Sequence, residues 1–162
     1  MDTTRVPFDF AEYERRRLTR VCYVCAIAAG ESDFEHEILY SDDAHIAFLN
    51  RYPTLVGYAL VAPRAHIEQV VSGFTEEAYL SIMALVRRVA LAVEAVVAPE
   101  RTYLLSLGSQ QGNAHVHWHI APLPPGVPYS DQQYHALMLE NGALQPTPAQ
   151  QADLAAAIRA HL

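Results

Sequence analysis

Apolar and polar positions change over in short blocks along most of the chain, and one long stretch departs from that rhythm. Asp33–Tyr40, His45–Asn50, Tyr58–Ala62, Thr102–Leu107 and Val116–Ala121 are rich in β-branched and aromatic residues and bounded by turn formers, so each predicts a strand. Between the third and fourth runs, Tyr79, Ile82, Met83, Val86, Ala90, Val93 and Val97 recur at helical spacing and predict one buried stripe. Thr75 is placed to cap that helix, Glu76 and Glu77 suit its positive first turn, and Pro99 lies just beyond its end. Phe8–Arg20 predicts a short charged helix, Ser130–Leu139 another, and Thr147–Leu162 a capped, Ala-rich terminal helix. Strands that mostly follow one another, interrupted by a single long helix, predict an α+β fold with an antiparallel sheet and additional terminal helices.

Composition narrows this picture. At 162 residues and 51% hydrophobic, the chain holds material for one ordinary core, and no repeat or low-complexity linker divides it. A single domain over residues 1–162 is therefore expected. The net charge is −7, with no basic cluster beyond Arg15-Arg16-Arg17, which excludes bulk binding to nucleic-acid backbones or anionic membranes. A small phosphorylated ligand remains compatible, because backbone N–H groups and neutral side chains can hold it. Val21–Ala29 and Val89–Ala98 are too short to span a bilayer, and the N-terminus lacks a secretory h-region. The two cysteines stand three apart and cannot staple distant segments, so a reducing, cytoplasmic setting is expected.

The candidate chemistry centres on His115-Val116-His117-Trp118-His119. Strand periodicity puts the three imidazoles on one face and sends Val116, Trp118 and Ile120 into the core. Neutral imidazole is a competent nucleophile near pH 7, and neighbouring imidazoles can pass protons, which suits attack on activated phosphorus. The preceding turn, Gly108-Ser109-Gln110-Gln111-Gly112-Asn113, offers amide donors for phosphate oxygens without adding charge. A surface metal patch, or a catalytic zinc held by all three histidines, is an alternative use of the same pattern. Cys22-x-x-Cys25 separately has the spacing that aims two thiolates at one tetrahedral ion. His36, His45, His135 and His161 stand outside any motif, and Arg51 and Arg64 flank motif positions from which a polyphosphate could be reached.

The ordered motifs resemble the histidine triad (HIT) superfamily of nucleotide hydrolases and transferases. The likeness begins at Cys22-x-x-Cys25 and runs through Ser41-Asp42-Asp43, Ala47-Phe48-Leu49-Asn50 and Gly57-Tyr58-Ala59-Leu60-Val61-Ala62-Pro63-x-x-His66. It continues through the long helix and the Gln/Gly turn to the triad, covering residues 22–122, with 123–162 as a C-terminal helical extension. The resemblance implies a HIT-like antiparallel sheet, a homodimer, and attack by His117 on a nucleotide α-phosphate to give a nucleotidyl-histidine. His119 would contact the phosphate and serve the leaving group, Gln111 and Asn113 would position the phosphate, Asn50 would hold the ribose, and Ile46 and Phe48 would flank the base. In the zinc-containing branch, His66 and His115 complete a structural zinc site with Cys22 and Cys25.

The implied activity is hydrolysis of a dinucleoside polyphosphate or other adenylylated compound. Phosphorolysis or nucleotidyl transfer at the same site, or nucleotide binding with little turnover, are the alternatives. Two positions depart from the family pattern: Tyr58 stands where His often follows Gly, and the turn before the triad is short, with Gly112 in place of a phosphate-binding Ser.

Overall fold

The computed structural model describes residues 3–18, 22–31 and 36–162. The chain runs α1 (Phe10–Leu18), α2 (Tyr23–Ala29), β1 (Ile38–Ser41), β2 (His45–Leu49), β3 (Ala59–Pro63), α3 (Glu76–Val97), β4 (Arg101–Leu105), β5 (Trp118–Leu123), α4 (Tyr134–Leu137) and α5 (Pro148–Arg159). The five strands form one antiparallel sheet in the order β1-β2-β3-β5-β4. The expected α+β architecture is the observed one.

Period-two alternation sorts the sheet into two faces. Ala47, Leu49, Ala59, Val61, Trp118 and Ile120 pack beneath α3, joined by Ala155 and Ile158 of α5. Ile46, Phe48, Leu60 and Ala62 point the other way, under Val24 and Ile27 of α2. Thr75 caps α3 by accepting the Ala78 N–H at 3.2 Å, and Thr147 with Gln150 forms a reciprocal capping box on α5. The buried stripe of α3 is Ile82, Leu85, Val86, Val89, Ala90, Ala92 and Val93. Tyr79, Met83 and Val97, expected in the stripe, sit at its partly exposed margin.

Several boundaries differ from the sequence reading. Within the run Val21–Ala29, read only as an apolar stretch with a metal-binding pair of cysteines, Tyr23–Ala29 makes the helix α2, with Cys22 as N-cap and Gly30 (φ 73°) closing it in the left-handed region. The helix expected over Ser130–Leu139 shrinks to the single turn α4, flanked by 3-10 turns at Tyr129–Asp131 and Leu139–Asn141. Gln133, at φ 54°, breaks any longer helix there. Residues 33–35 of the first expected strand and 19–20 of the first expected helix lie outside the described residues.

Strand β5 starts at Trp118, two residues later than expected. Its neighbour β3 ends at Pro63, which has no N–H to extend the ladder. Over residues 115–117 the chain is held differently: the Val116 N–H donates to the Ile67 carbonyl at 2.7 Å, and the Ser106 hydroxyl to the His117 carbonyl at 2.8 Å. Side-chain alternation nevertheless persists through this segment, with Val116 in the core beneath α3.

Candidate active site and metal centre

A cavity of about 490 Å³ opens on the sheet face opposite α3, and His115, His117 and His119 all line it. The three rings do different work. The His117 Nδ1 lies 2.7 Å from the His115 carbonyl, an acceptor only, so Nδ1 carries the proton and Nε2 keeps the lone pair. Burial holds the His117 imidazole below its ordinary pKa, partly offset by that hydrogen bond. The ring is therefore neutral near pH 7, which is the nucleophilic form. Tyr23 packs edge-on against it at 5.8 Å between centroids.

His119 lies 4.7 Å from His117, ring to ring. Burial, reinforced by His117, pushes its pKa down to about 3, with the Leu107 carbonyl pulling weakly the other way. Its Nδ1 meets the Tyr58 hydroxyl at 3.1 Å, while its Nε2 is buried and makes no hydrogen bond.

His115 turns away from this pair. Its Nε2 donates to the Pro63 carbonyl at 2.8 Å, so the Nδ1 lone pair faces Cys22 Sγ at 3.3 Å and Cys25 Sγ at 3.4 Å. His66 repeats the arrangement, with Nε2 on the Glu68 carboxylate at 3.0 Å and Nδ1 at 3.3 Å from Cys25 Sγ. One ligand atom from each of the four residues lies within 4.8 Å of the others. Burial and the adjacent Cys22 push the Cys25 thiol up to about 11, and a bound cation reverses that preference by stabilising thiolate. Two imidazole lone pairs and two sulfurs converging on one point, with each outer imidazole nitrogen fixed by an acceptor, could hold a metal ion.

Most of the other expected site residues line the cavity. Asn50 does, its Oδ1 accepting the Tyr52 N–H at 3.0 Å. Gln111 and Asn113 line it from a tight turn closed by paired bonds between Ser109 and Gly112, at 2.9 and 3.2 Å. Asn113 adopts φ 58° and donates its amide to the Tyr13 hydroxyl at 2.9 Å, which ties the turn to α1. Ile46 and Phe48 do not reach the cavity. They are 2% and 0% exposed beneath α2, and His36, which does line it, stacks edge-on over Phe48. Arg51 reaches the cavity, whereas Arg64 is committed to Asp42, Ala28 and Ser41 and ties α2 to the β1–β2 turn.

The sequence reading missed the aromatic lining. Tyr13, Tyr23, Tyr52, Tyr58 and Tyr134 are five of the nine tyrosines in the chain, and all line the cavity. They come from α1, α2, the β2–β3 connection and α4, and no local pattern marks them as a group. Met138 joins them from the segment after β5.

The HIT domain profile matches residues 31–125, more than half of the chain. The chain belongs to the HIT domain family. It is 30% identical over 129 residues to the adenosine 5'-monophosphoramidase hnt1 of Schizosaccharomyces pombe, covering 72% of this chain and 92% of that protein. It is 32% identical over 105 residues to an uncharacterized HIT-like protein of Saccharolobus solfataricus, covering 63% and 73%. A hypothetical histidine triad nucleotide-binding protein from Sulfolobus tokodaii shares the fold at a TM-score of 0.69, with 23% identity over 86% of this chain and 91% of that one. A Zn-bound histidine triad family protein from Mycobacterium smegmatis superposes at 0.64, with 19% identity and the same coverages. The HIT match starts after Cys22 and Cys25, so the two sulfurs of the metal centre lie outside it. No described helix is long and apolar enough to cross a membrane.

Proposed function

We propose that the chain is a nucleotidyl hydrolase acting on the α-phosphate of a dinucleoside polyphosphate or other adenylylated compound. The observation that carries this reading is the 2.7 Å bond from His117 Nδ1 to the His115 carbonyl, which leaves Nε2 as a neutral nucleophile in a residue lining the cavity. In the first displacement the Nε2 lone pair forms an N–P bond as the bond from phosphorus to the leaving group breaks. The leaving group departs hydrogen-bonded to the His119 side. Water then attacks phosphorus, the N–P bond breaks and returns its electron pair to His117 Nε2, one water proton passes to the departed group, and the nucleoside monophosphate is released. Gln111, Asn113 and backbone N–H groups of their turn stabilise charge developing on the phosphoryl oxygens. Asn50 holds the sugar.

Among the described lining residues Arg51 is the sole arginine, and there is no lysine. A polyphosphate leaving group would meet little positive charge, while Tyr52, Tyr134 and Met138 offer apolar surface. Within the substrate class, adenylylated compounds with an uncharged leaving group are the better match. The phosphoramidase relative from S. pombe points the same way.

The metal proposed for Cys22, Cys25, His66 and His115 is zinc. With Zn–S near 2.3 Å and Zn–N near 2.0–2.1 Å, a tetrahedral site sets sulfur–nitrogen edges of about 3.5 Å; three of the four such edges are 3.3, 3.3 and 3.4 Å, and all four ligand atoms lie within 4.8 Å of one another. Four protein ligands close the coordination, so the ion stabilises the fold without activating water. Residues 1–162 act as one HIT-like unit, with core 22–122 and an extension, 123–162, that contributes Tyr134 and Met138 to the cavity.

A homodimer and a cytoplasmic setting complete the reading. β4 is a sheet edge with Leu104 49% exposed, a surface that a second copy can cover. Light scattering during gel filtration tests the dimer.

The test of the chemistry is nucleotide release from dinucleoside polyphosphates and adenosine phosphoramidates by wild type and His117→Ala, with and without phosphate. Turnover should fall on the order of 10³-fold or more in the variant. Mass spectrometry of an acid-quenched wild-type reaction should show one added nucleotidyl group. Tight nucleotide binding without turnover, unchanged in His117→Ala, would leave a binding protein instead, and release that requires phosphate would make the enzyme a phosphorylase.

A further inference from the structure

Tyr58 stands at the position where the family pattern commonly has histidine, and its hydroxyl meets His119 Nδ1 at 3.1 Å. The phenol is 5% exposed in the wall shared with Leu55, Ala121 and Leu123, and its ring lies 5.8 Å from the imidazole. Backbone constraints fix it on both sides. Its N–H donates to the Leu55 carbonyl, its carbonyl accepts the Asn50 N–H at 2.8 Å, and Gly57 before it packs against Val97 and Val93 of α3. A Cβ at Gly57 would stand 3.0 Å from a Val97 methyl, so this part of the chain has one seat on the helix.

We propose that Tyr58 is a positioning residue: its O–H donates to His119 Nδ1 and so holds a neutral His119 with its proton on Nε2, as a hydrogen-bond donor to the leaving group. Burial pushes the phenol up to about 12, so it keeps its proton across the working range. Burial also keeps the His119 ring neutral. A neutral imidazole carries one N–H, and a donor on Nδ1 assigns that hydrogen to Nε2. The result pairs two neutral histidines of opposite tautomer, 4.7 Å apart. His117 is protonated on Nδ1 and offers a lone pair from Nε2, whereas His119 accepts at Nδ1 and presents an N–H from Nε2. Nucleophile and hydrogen-bond donor are thus differentiated by what meets Nδ1, a carbonyl for one and a phenol for the other.

The kinetic side of this inference rests on the hydrolase reading, and the structural side does not. In 15N-edited NMR of the intact wild-type protein, His119 should show protonated Nε2 and a hydrogen-bonded, unprotonated Nδ1. Tyr58→Phe should move the Nδ1 signal to that of an unbonded imidazole nitrogen. A wild-type His119 protonated on Nδ1, or an Nδ1 signal unaffected by Tyr58→Phe, overturns the assignment even if the protein turns over no nucleotide. In kinetics, Tyr58→Phe should lower kcat about tenfold with KM changed by less than about twofold, and should cause no further loss in a His119→Ala background. An unchanged kcat, or an equal loss in both backgrounds, assigns Tyr58 a packing role only and sinks the proposal.

Discussion

Trp118 sits between His117 and His119 in sequence yet faces the opposite side of the sheet, so it offers a clean separation of folding from chemistry. It is 4% exposed, with Phe74 at 5.7 Å and Tyr79 at 6.1 Å between ring centroids, in the core formed with α3. Burying a tryptophan removes about 150–250 Å² from water, worth roughly 4–6 kcal/mol at about 25 cal/mol per Å². Alanine retains part of that area and leaves a cavity, and large aromatic-to-alanine changes in cores cost about 3–5 kcal/mol. We expect Trp118→Ala to destabilise the protein by about 4 kcal/mol. At roughly 2–4 °C per kcal/mol for a chain of this size, Tm falls by about 8–16 °C. The assay is thermal unfolding followed by far-UV circular dichroism, on wild type and variant matched for metal content. Well below the variant's Tm, nucleotide affinity should stay within about twofold of wild type, because the cavity lies on the other face. A Tm within about 3 °C of wild type, or a normal Tm with lost nucleotide affinity, would refute the division of the two faces.

Three further outcomes are expected. Cys22→Ser should purify with less zinc per chain than wild type and melt at a lower temperature, as read by metal analysis beside calorimetry; equal zinc content in both proteins would remove Cys22 from the ligand set. Gly57→Ala should cost about 1–3 kcal/mol in urea unfolding, because φ +82° is strained for any residue with a Cβ and the Val97 methyl would stand 3.0 Å from it. Burial pulls the Asp42 carboxyl up, but hydrogen bonds from Tyr40, Ala44 and His45 outweigh it and hold the group at about 2. That value lies below the unfolded reference near 3.9, so Asp42 contributes stability above pH ~4 that is lost as pH falls toward 2; denaturation curves of Asp42→Asn should lack part of the wild-type decline in that window, and identical declines would contradict it.

What could be read from the sequence follows from the range of the interactions involved. Strand alternation, the Thr75 cap and the stripe of α3 are local, and local periodicity placed them within a few residues. The shortened α4 was not legible, because the left-handed Gln133 that breaks it carries no glycine or proline signal. Nor was α2, since a seven-residue run that holds Cys25 and directly follows Cys22 reads equally as an apolar turn, and its helical form depends on packing Val24 and Ile27 over β2 and β3. At the site, the histidines and cysteines were legible because their chemistry needs fixed residue types at fixed spacings. The rest of the cavity lining was not. Ile46 and Phe48 have the right polarity and strand parity, but α2 covers them, and only the tertiary arrangement shows that His36 and the tyrosines form the surface. The Tyr13–Asn113 bond, spanning 100 residues, had no sequence signature at all.

The two proposed centres meet in one residue. The His115 side chain presents Nδ1 to the two sulfurs, and its main-chain carbonyl fixes the tautomer of His117. The carbonyl cannot move without the side chain, because Nε2 is anchored on Pro63 at the end of β3 and the next residue, Val116, is bonded to Ile67. The segment 115–117 has no strand partner, so these few bonds stand in for the ladder that fixes β5 directly after it. An ion joining Cys22 and Cys25 to His115 would therefore restrain the acceptor that aims the proposed nucleophile, while taking no part in bond making. That arrangement would give a closed structural site a reason to sit beside the proposed nucleophile. Orientation of a nucleophile is worth many powers of ten only while the geometry holds to a fraction of an ångström. Cys22→Ser should accordingly lower kcat as well as Tm at temperatures where the variant is fully folded. If kcat were unchanged in folded, metal-depleted protein, the hydrogen bonds to Pro63 and Ile67 would suffice to hold the carbonyl, and the ion would serve stability alone.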